Sequence, residues 1–170
     1  MVRHFGNTNE TPKVNGSLAE NGCGKFADIN DAALISLRKL GITHLWLTGI
    51  LEQASSTAYP ERPADSPLLL KGKAGSPYAI RDYFDVCPDY ATDPTKRLDE
   101  FKALLKRIKK RGLKTIIDFV PNHVARSYSS DIRPELSFGR NDDTGKFFDP
   151  NNNFYYLGDL HPGGGAPLKL

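Results

Sequence analysis

The chain has 170 residues, of which 39% are hydrophobic and 25% are charged, and its formal net charge is +3. These values are typical of one ordinary globular domain, since a disordered chain would carry fewer apolar residues and a larger net charge. The near balance of basic and acidic residues argues against a nucleic-acid partner. The basic residues of 102–111 alternate with apolar ones, which indicates a solvated helix face.

The sequence contains no run of about 18 apolar residues, so we expect neither a membrane span nor a membrane partner. Residues 1–16, MVRHFGNTNETPKVNG, lack the apolar core of a secretory signal. We therefore expect a cytoplasmic protein, unless the natural N-terminus lies upstream of Met1. Cys23 and Cys87 fit no metal-binding spacing, and we expect free buried thiols rather than a disulfide.

The first predicted unit is a helix followed at once by a strand. Residues 1–27 are polar and predict a loop with at most one weak strand. Asp28 or Asn30 can cap the helix, and Gly41 ends it. One helix face is apolar, comprising Ala33, Leu34, Leu37 and Leu40. The mostly apolar run ITHLWLT at 42–48 then predicts a buried parallel strand.

A second unit repeats this order. Asp93 caps a helix whose first position is Pro94, and Gly112 ends it before the strand predicted at 113–120. The apolar helix face comprises Leu98, Phe101, Leu104, Leu105 and Ile108. Alternating helices and strands predict a parallel sheet with crossover helices. The two units are joined by a long stretch at 50–92, and so long a connection is usually functional.

The strongest functional signal is the segment DFVPNH at 118–123. Asp118 interrupts an apolar run near the end of a predicted strand, where a carboxylate is costly unless something pairs with it. In (β/α) barrels the polar residues at the carboxyl ends of strands point into the active site, and Asn122 and His123 would lie on the same rim. The alternative is that Asp118 and Asn122 only fix the backbone of a turn.

This segment also resembles the first sequence signature of the α-amylase family, glycoside hydrolase family 13, D-x-V-x-N-H, without departure. Upstream, SPYAIRDY at 76–83 resembles the family's G-Y-x-x-x-D-Y stretch, and GITHLWL at 41–47 resembles its second strand. The resemblance covers about residues 26–125. The order and spacing of the motifs make it specific.

The resemblance implies an α/β fold, an incomplete (β/α)8 TIM barrel with about the first three βα units. A complete barrel takes roughly 250 residues. We expect an N-terminal loop or weak first strand at 1–27 and a partial barrel at 28–123. The truncated start of an inserted domain B would follow at 124–170, with a Gly- and Pro-rich loop at 161–167.

The family's chemistry implies retaining hydrolysis or transfer on α-glucans, in which one carboxylate attacks the anomeric carbon and another serves as acid and then base. The family carries these carboxylates on strands four, five and seven. The resemblance therefore places them beyond Leu170, and we expect the chain alone to be inactive.

Four residues of this chain match functional positions of the family. Tyr78 would stack on a sugar ring, and His123 would hydrogen-bond the same sugar once a neighbour fixed its tautomer. Asp118 would orient an arginine from outside this chain. Asn122 would be a ligand of a structural calcium, an ion that not all members bind. The alternatives are that Tyr78 is a packed loop aromatic and His123 a capping residue.

Three departures from the family pattern stand out. Many exo-acting members have Asp where this chain has Gly75, which favours an open, endo-acting cleft. Cys87 and Ala91 replace a common Asp and Gly, and they affect local loop detail. Trp46 and most other aromatic residues are at core-like positions and give no information on the substrate.

Two competing functions stay open. The chain could be a non-catalytic barrel fragment that binds sugar or a partner chain. It could also belong to an unrelated barrel in which Asp118 and His123 act with a metal.

Overall fold

The computed structural model describes residues 1–157 and a backbone strand at 168–169, so the loop predicted at 161–167 lies outside the described residues. The helices are α1 (Leu18–Asn21), α2 (Asp31–Lys39) and α3 (Arg97–Lys110). The strands are β1 (His44–Leu47), β2 (Leu51–Gln53), β3 (Ile80–Val86), β4 (Lys114–Ile117), β5 (Tyr156–Leu157) and β6 (Leu168–Lys169). None of the described helices is long and apolar enough to cross a membrane.

Strands β1 and β4 form the predicted parallel pair, in register from His44 opposite Lys114 to Leu47 opposite Ile117. Helix α3 lies in the connection between them, as the alternation of helix and strand predicts. The pair confirms the parallel strand predicted at 42–48, but the predicted burial is wrong, because within β1 only Leu47 is buried. The strand predicted at 113–120 is shorter, because β4 ends at Ile117.

Helix α2 and the short turn before α3 each begin next to a residue whose side chain caps them. The Asn30 side chain accepts a hydrogen bond from the backbone of Ala33 and starts α2. Asp93 caps a short 3-10 turn at Pro94–Lys96, which leads directly into α3. Acidic residues in the first turn of α3 and basic residues in its last turn suit the helix dipole.

The core lies where α3 packs against α2 and the residues that precede it. Phe26 is fully buried and packs its ring 5.4 Å from that of Phe101 on α3 and 6.0 Å from that of Tyr90. Leu34 of α2 and Leu104 of α3 are also fully buried. The apolar face predicted for α3 therefore meets Leu34 in one cluster, whereas Leu40, predicted on the same face as Leu34, is 76% exposed.

The long connection at 50–92 contains an antiparallel pair that the sequence pattern did not predict. Strand β2 pairs with β3, with Glu52 opposite Asp82 and Gln53 opposite Ile80, and the register is irregular on both sides of Glu52. Backbone hydrogen bonds extend this pairing, since Cys87 donates to Ile50 at 2.9 Å. The hairpin thus follows β1 closely along the chain.

Three predictions were wrong or only partly correct. Residues 1–27 contain no strand; α1 forms there, with a capping box between Ser17 and Glu20. Trp46 is not a core residue, because 64% of it is exposed, and more of the other aromatic residues are exposed than buried. Both cysteines are free as predicted, but Cys23 is only half-buried while Cys87 is fully buried.

Candidate functional site

The hairpin holds the segment that follows β4. The Tyr83 hydroxyl on β3 donates to the carbonyl of Val120 and lies 3.4 Å from that of His123. Just beyond, the Ala125 amide donates to the carbonyl of Ile80 at 2.7 Å. Segment 120–125 therefore runs along β3, and its conformation depends on a strand far away in sequence.

Tyr78 and His123 line one groove of about 630 Å³, here called the Tyr78 groove. The ring of Tyr78 is accessible, since 43% of the residue is exposed. The apolar segment 68–70 and Lys71 also line this groove. Sequence analysis predicted that Tyr78 and His123 act on one sugar, and the structure brings them together.

The tautomer of His123 has a neighbour that can fix it. Nδ2 of Asn122 lies 3.4 Å from Nδ1 of His123. With the amide nitrogen donating, Nδ1 is the acceptor and Nε2 carries the proton. His123 can then donate from Nε2 to a hydroxyl group in the groove.

A second groove of about 840 Å³, the Phe119 groove, lies on the other side of His123. Its walls are largely aromatic, comprising Tyr83, Phe84, Phe119, Phe138 and Phe154. Val124 and Arg126 border both grooves. Within residues 1–157, no Asp or Glu lines either groove.

Asp118 stands apart from the grooves. It is half-buried, and its amide donates to the Leu47 carbonyl at 3.5 Å, just past the last pair of the parallel sheet. Its carboxylate has no hydrogen-bond or ion-pair partner in the described part of the chain. Its predicted role in orienting an arginine stays a prediction.

Asn122 offers one oxygen to a metal ion. The residue is exposed, and its amide oxygen has no partner among the described residues. Calcium needs about six to eight oxygens. The described chain places no cluster of three His, Cys, Asp or Glu side chains at Asn122. The residues present therefore do not complete a calcium site there.

A buried network of charges lies behind the grooves, and sequence analysis missed it. Asp65 lies 2.8 Å from Nη2 of Arg62 and 2.9 Å from Nη1 of Arg81. Asp85 lies 2.6 Å from Nη2 of Arg97, at the start of α3. The network ties the 59–66 loop and α3 to the hairpin.

Glu52 lies within this network and is fully buried. Burial raises the pKa of Glu52 to about 8, because the charged form loses its hydration, while Arg62 and Arg81 lower it. The negative charges of Asp131 and Asp85 add to the increase. Glu52 thus keeps its proton up to a higher pH than an ordinary glutamate does.

Sequence analysis also missed other residues of the grooves. Arg126 borders both grooves and comes three residues after His123, a position that no motif marked. Segment 68–71 reaches the Tyr78 groove from the middle of the long connection. The LLLK sequence of this segment gave a signal, since exposed leucines in a loop are informative as a contiguous patch.

Comparison with known proteins places these features in one family. The family model "Alpha amylase, catalytic domain" matches residues 5–150. Maltase 1 of Drosophila virilis is 36% identical over 83 residues, which are 49% of this chain and 10% of the maltase. Trehalose-6-phosphate hydrolase of Bacillus subtilis is 31% identical over 117 residues, 69% of this chain and 17% of that protein.

Among solved structures, an α-amylase from Lactobacillus plantarum matches with a TM-score of 0.51 and 27% sequence identity. The match covers 86% of this chain and 28% of that one. The chain thus spans well under a third of the length of each of these proteins. Because the family model covers most of the residues, the chain belongs to the α-amylase family and is similar to part of its catalytic domain.

Proposed function

We propose that the chain forms part of the catalytic barrel of an α-amylase-type glycoside hydrolase or transglycosylase acting on α-glucans. One observation carries this proposal: Tyr78 and His123, far apart in sequence, line a single open groove. The glycosidase names of the similar proteins support it.

The groove has the chemistry that a glucosyl ring requires. The exposed face of Tyr78 offers a flat apolar surface for the C–H face of a sugar. His123, with its proton on Nε2, donates to a hydroxyl, and Arg126 adds further donors at the rim. The sugar is thus held by one ring and by polar groups on one side.

We further propose that β1 and β4 are neighbouring strands of a (β/α)8 barrel and that 124–157 begins an inserted domain. Asp118 then stands at the carboxyl end of a barrel strand, where catalytic sites of such barrels lie. The reaction would be retaining double displacement, with two carboxylates about 5–5.5 Å apart. Since the described residues bring no carboxylate to either groove, both would come from other residues.

Two narrower proposals accompany this one. A structural calcium at Asn122 would take its other ligands from residues outside the described part of the chain. The second proposal is that the protein acts in the cytoplasm.

The test is a titration of the 170-residue chain with maltotriose, followed by two-dimensional NMR, together with an assay for released sugar. We expect saturable binding without turnover. Tyr78→Ala should weaken binding about fivefold, because stacking on an aromatic ring contributes about 1 kcal/mol. The matched control is Tyr155→Ala, since Tyr155 is 49% exposed and lines neither groove.

Binding that Tyr78→Ala leaves unchanged would show that the Tyr78 groove is not the sugar site. Release of glucose or maltose by the chain would show that it contains its own catalytic carboxylates. Binding without turnover is also what a purely sugar-binding fragment would give. Addition of the remaining barrel of a related enzyme distinguishes the two alternatives. Hydrolysis should be restored if the chain is part of a catalytic barrel, and it should not be restored if the chain only binds sugar.

A further inference from the structure

Three acidic side chains meet inside the β2–β3 hairpin. Glu52 on β2 lies opposite Asp82 on β3, and Asp85 comes three residues later on β3. All three residues are at most 1% exposed. One carboxylate oxygen from each lies within 4.8 Å of the others. Such proximity between buried negative charges is costly unless a positive charge lies between them.

Glu52 is the member whose oxygens are not satisfied. Neither oxygen accepts a hydrogen bond within the described chain. Oε1 lies 3.1 Å from Nε of Arg62 and 3.6 Å from Nε of Arg81, without hydrogen-bond alignment. A buried carboxylate oxygen without a donor is costly, and a further ligand would remove that cost.

The two aspartates, in contrast, are held in place by the backbone. Asp82 accepts hydrogen bonds from the amides of Phe84 at 2.8 Å and Asp131 at 3.1 Å. Asp85 accepts from the amide of Val86 at 2.7 Å and from Arg97. Their carboxylates therefore stay fixed, and each oxygen keeps lone-pair capacity for a further ligand.

The charges of the network do not balance. Five carboxylates lie in it with side chains at most 15% exposed, those of Glu52, Asp65, Asp82, Asp85 and Asp131. Three guanidinium groups face them, from Arg62, Arg81 and Arg97. With every group ionised, five negative and three positive charges leave an excess of two negative charges, which one divalent cation neutralises.

We propose that a divalent metal ion, with Ca²⁺ the best fit, binds between the carboxylates of Glu52, Asp82 and Asp85. The ligands are all hard oxygens, which suit this class of cation. Calcium–oxygen distances of about 2.4 Å let opposite ligands stand about 4.8 Å apart, and the three oxygens lie within that span.

The ion would be structural. It would join β2 to β3 and, through the Arg97 contact of Asp85, to the start of α3. It shares no ligand with Asn122, and it does not rest on the proposed function, because none of the three carboxylates lines a groove.

The test uses the 170-residue chain, stripped with a chelator and dialysed at pH 8. Equilibrium dialysis against CaCl₂ should give one bound Ca²⁺ per chain, and the melting temperature should rise with Ca²⁺. Glu52→Gln should lower the affinity at least about tenfold, since it removes one charged ligand. The matched control Glu61→Gln changes a carboxylate that pairs with Arg97 but lies outside the ligand set.

The calcium proposed at Asn122 needs ligands from outside the described residues, so Asn122→Ala should leave the Ca²⁺ stoichiometry and affinity of the 170-residue chain unchanged. Loss of the ion in that variant would move the site to Asn122 and overturn the proposal. Failure to bind Ca²⁺ at millimolar concentration would also overturn it, as would an equal rise in melting temperature with NaCl of matched ionic strength. If Glu52→Gln does not fold, crystals of the unaltered chain soaked in Mn²⁺ decide. The anomalous peak should lie among the three carboxylates, and a peak elsewhere would refute the site.

Discussion

At the scale of single residues, Gly75 determines how the loop approaches Tyr78. Its φ is +66°, and a Cβ built there would lie 2.3 Å from the carbonyl oxygen of Ala54. Arg3 also donates to the carbonyls of Ala74 and Gly75, at 3.0 and 3.3 Å. The glycine that the sequence suggested as a sign of an endo-acting cleft is therefore explained by backbone geometry, without reference to a chain end.

Gly75→Ala should lower the free energy of unfolding more than Gly41→Ala does. Gly41 also has a positive φ, +85°, but nothing lies within 4 Å of a Cβ there. Its substitution should cost about 1–2 kcal/mol from backbone strain alone. Gly75→Ala should cost about 1–3 kcal/mol more from the clash. Urea denaturation at pH 7 measures both, and equal losses would contradict the close approach to Ala54.

Tyr83 is the second residue with a testable role, since its hydroxyl bonds the backbone of Val120 and His123. Tyr83→Phe should lower the free energy of unfolding by about 1 kcal/mol, the usual net value of such a bond. Amide chemical shifts should change mainly in 120–125. Tyr155→Phe is the control, because the Tyr155 hydroxyl has no hydrogen bond within the described residues. Shifts spread evenly over the chain would argue against this role.

At the scale of elements, Arg97 fastens the start of α3 to the hairpin through Asp85 and to the loop through Glu61. Arg97→Met should destabilise the chain by about 3–5 kcal/mol, because it leaves a buried carboxylate unpaired. Lys96→Met removes an exposed pair with Asp93, whose side chains are 70% and 44% exposed, and should cost about 0–1 kcal/mol. Thermal and urea unfolding compare the two, and similar losses would show that Asp85 finds another partner.

Helix α3 and the parallel pair could be predicted because their signals are local. Asp93 and Gly112 mark the ends, and the apolar spacing between them gives the buried face. The hairpin could not, because Glu52 and Asp82 stand where a buried strand should be apolar. Glu52 faces the guanidinium groups of Arg62 and Arg81, and Asp82 accepts from two backbone amides. Hydrophobic patterning reveals neither kind of partner.

The site shows the same division. The DFVPNH motif located His123 and Asn122, and the resemblance added Tyr78. That Tyr78 and His123 share a groove depends on β3, whose Tyr83 holds the segment after β4. Such a long-range contact leaves no periodic trace in the sequence, and so the pairing rested on the resemblance alone.

At the scale of the whole molecule, the parallel sheet leaves apolar surface exposed. Trp46 and its partner Ile116 are 64% and 43% exposed, and Phe119 is 64% exposed. Among the described residues, so small a parallel sheet does not cover its own faces. The sequence analysis placed Trp46 in the core because it lies in a mostly apolar strand, but what covers a face of that strand is decided by other elements.

The stability of the whole chain should depend on pH through Glu52. The pKa of Glu52 rises from an ordinary 4.5 to about 8 in the folded state, chiefly through burial. Burial also raises the pKa of Asp85 and Asp131, in the same network. Between pH 4.5 and about pH 8, the folded chain therefore binds more protons than the unfolded chain. Without a divalent cation, the free energy of unfolding should therefore fall as pH rises from 5 to 8 and level off above it.

Urea denaturation in a chelating buffer at several pH values measures this fall. Glu52→Gln should remove most of it, because the amide does not titrate, while Glu61→Gln should keep it. Stability that rises with pH over this range would mean that Arg62 and Arg81 hold Glu52 charged in the folded chain. In that case the excess of negative charge in the hairpin would be permanent, and the need for a cation between the three carboxylates would be greater at every pH.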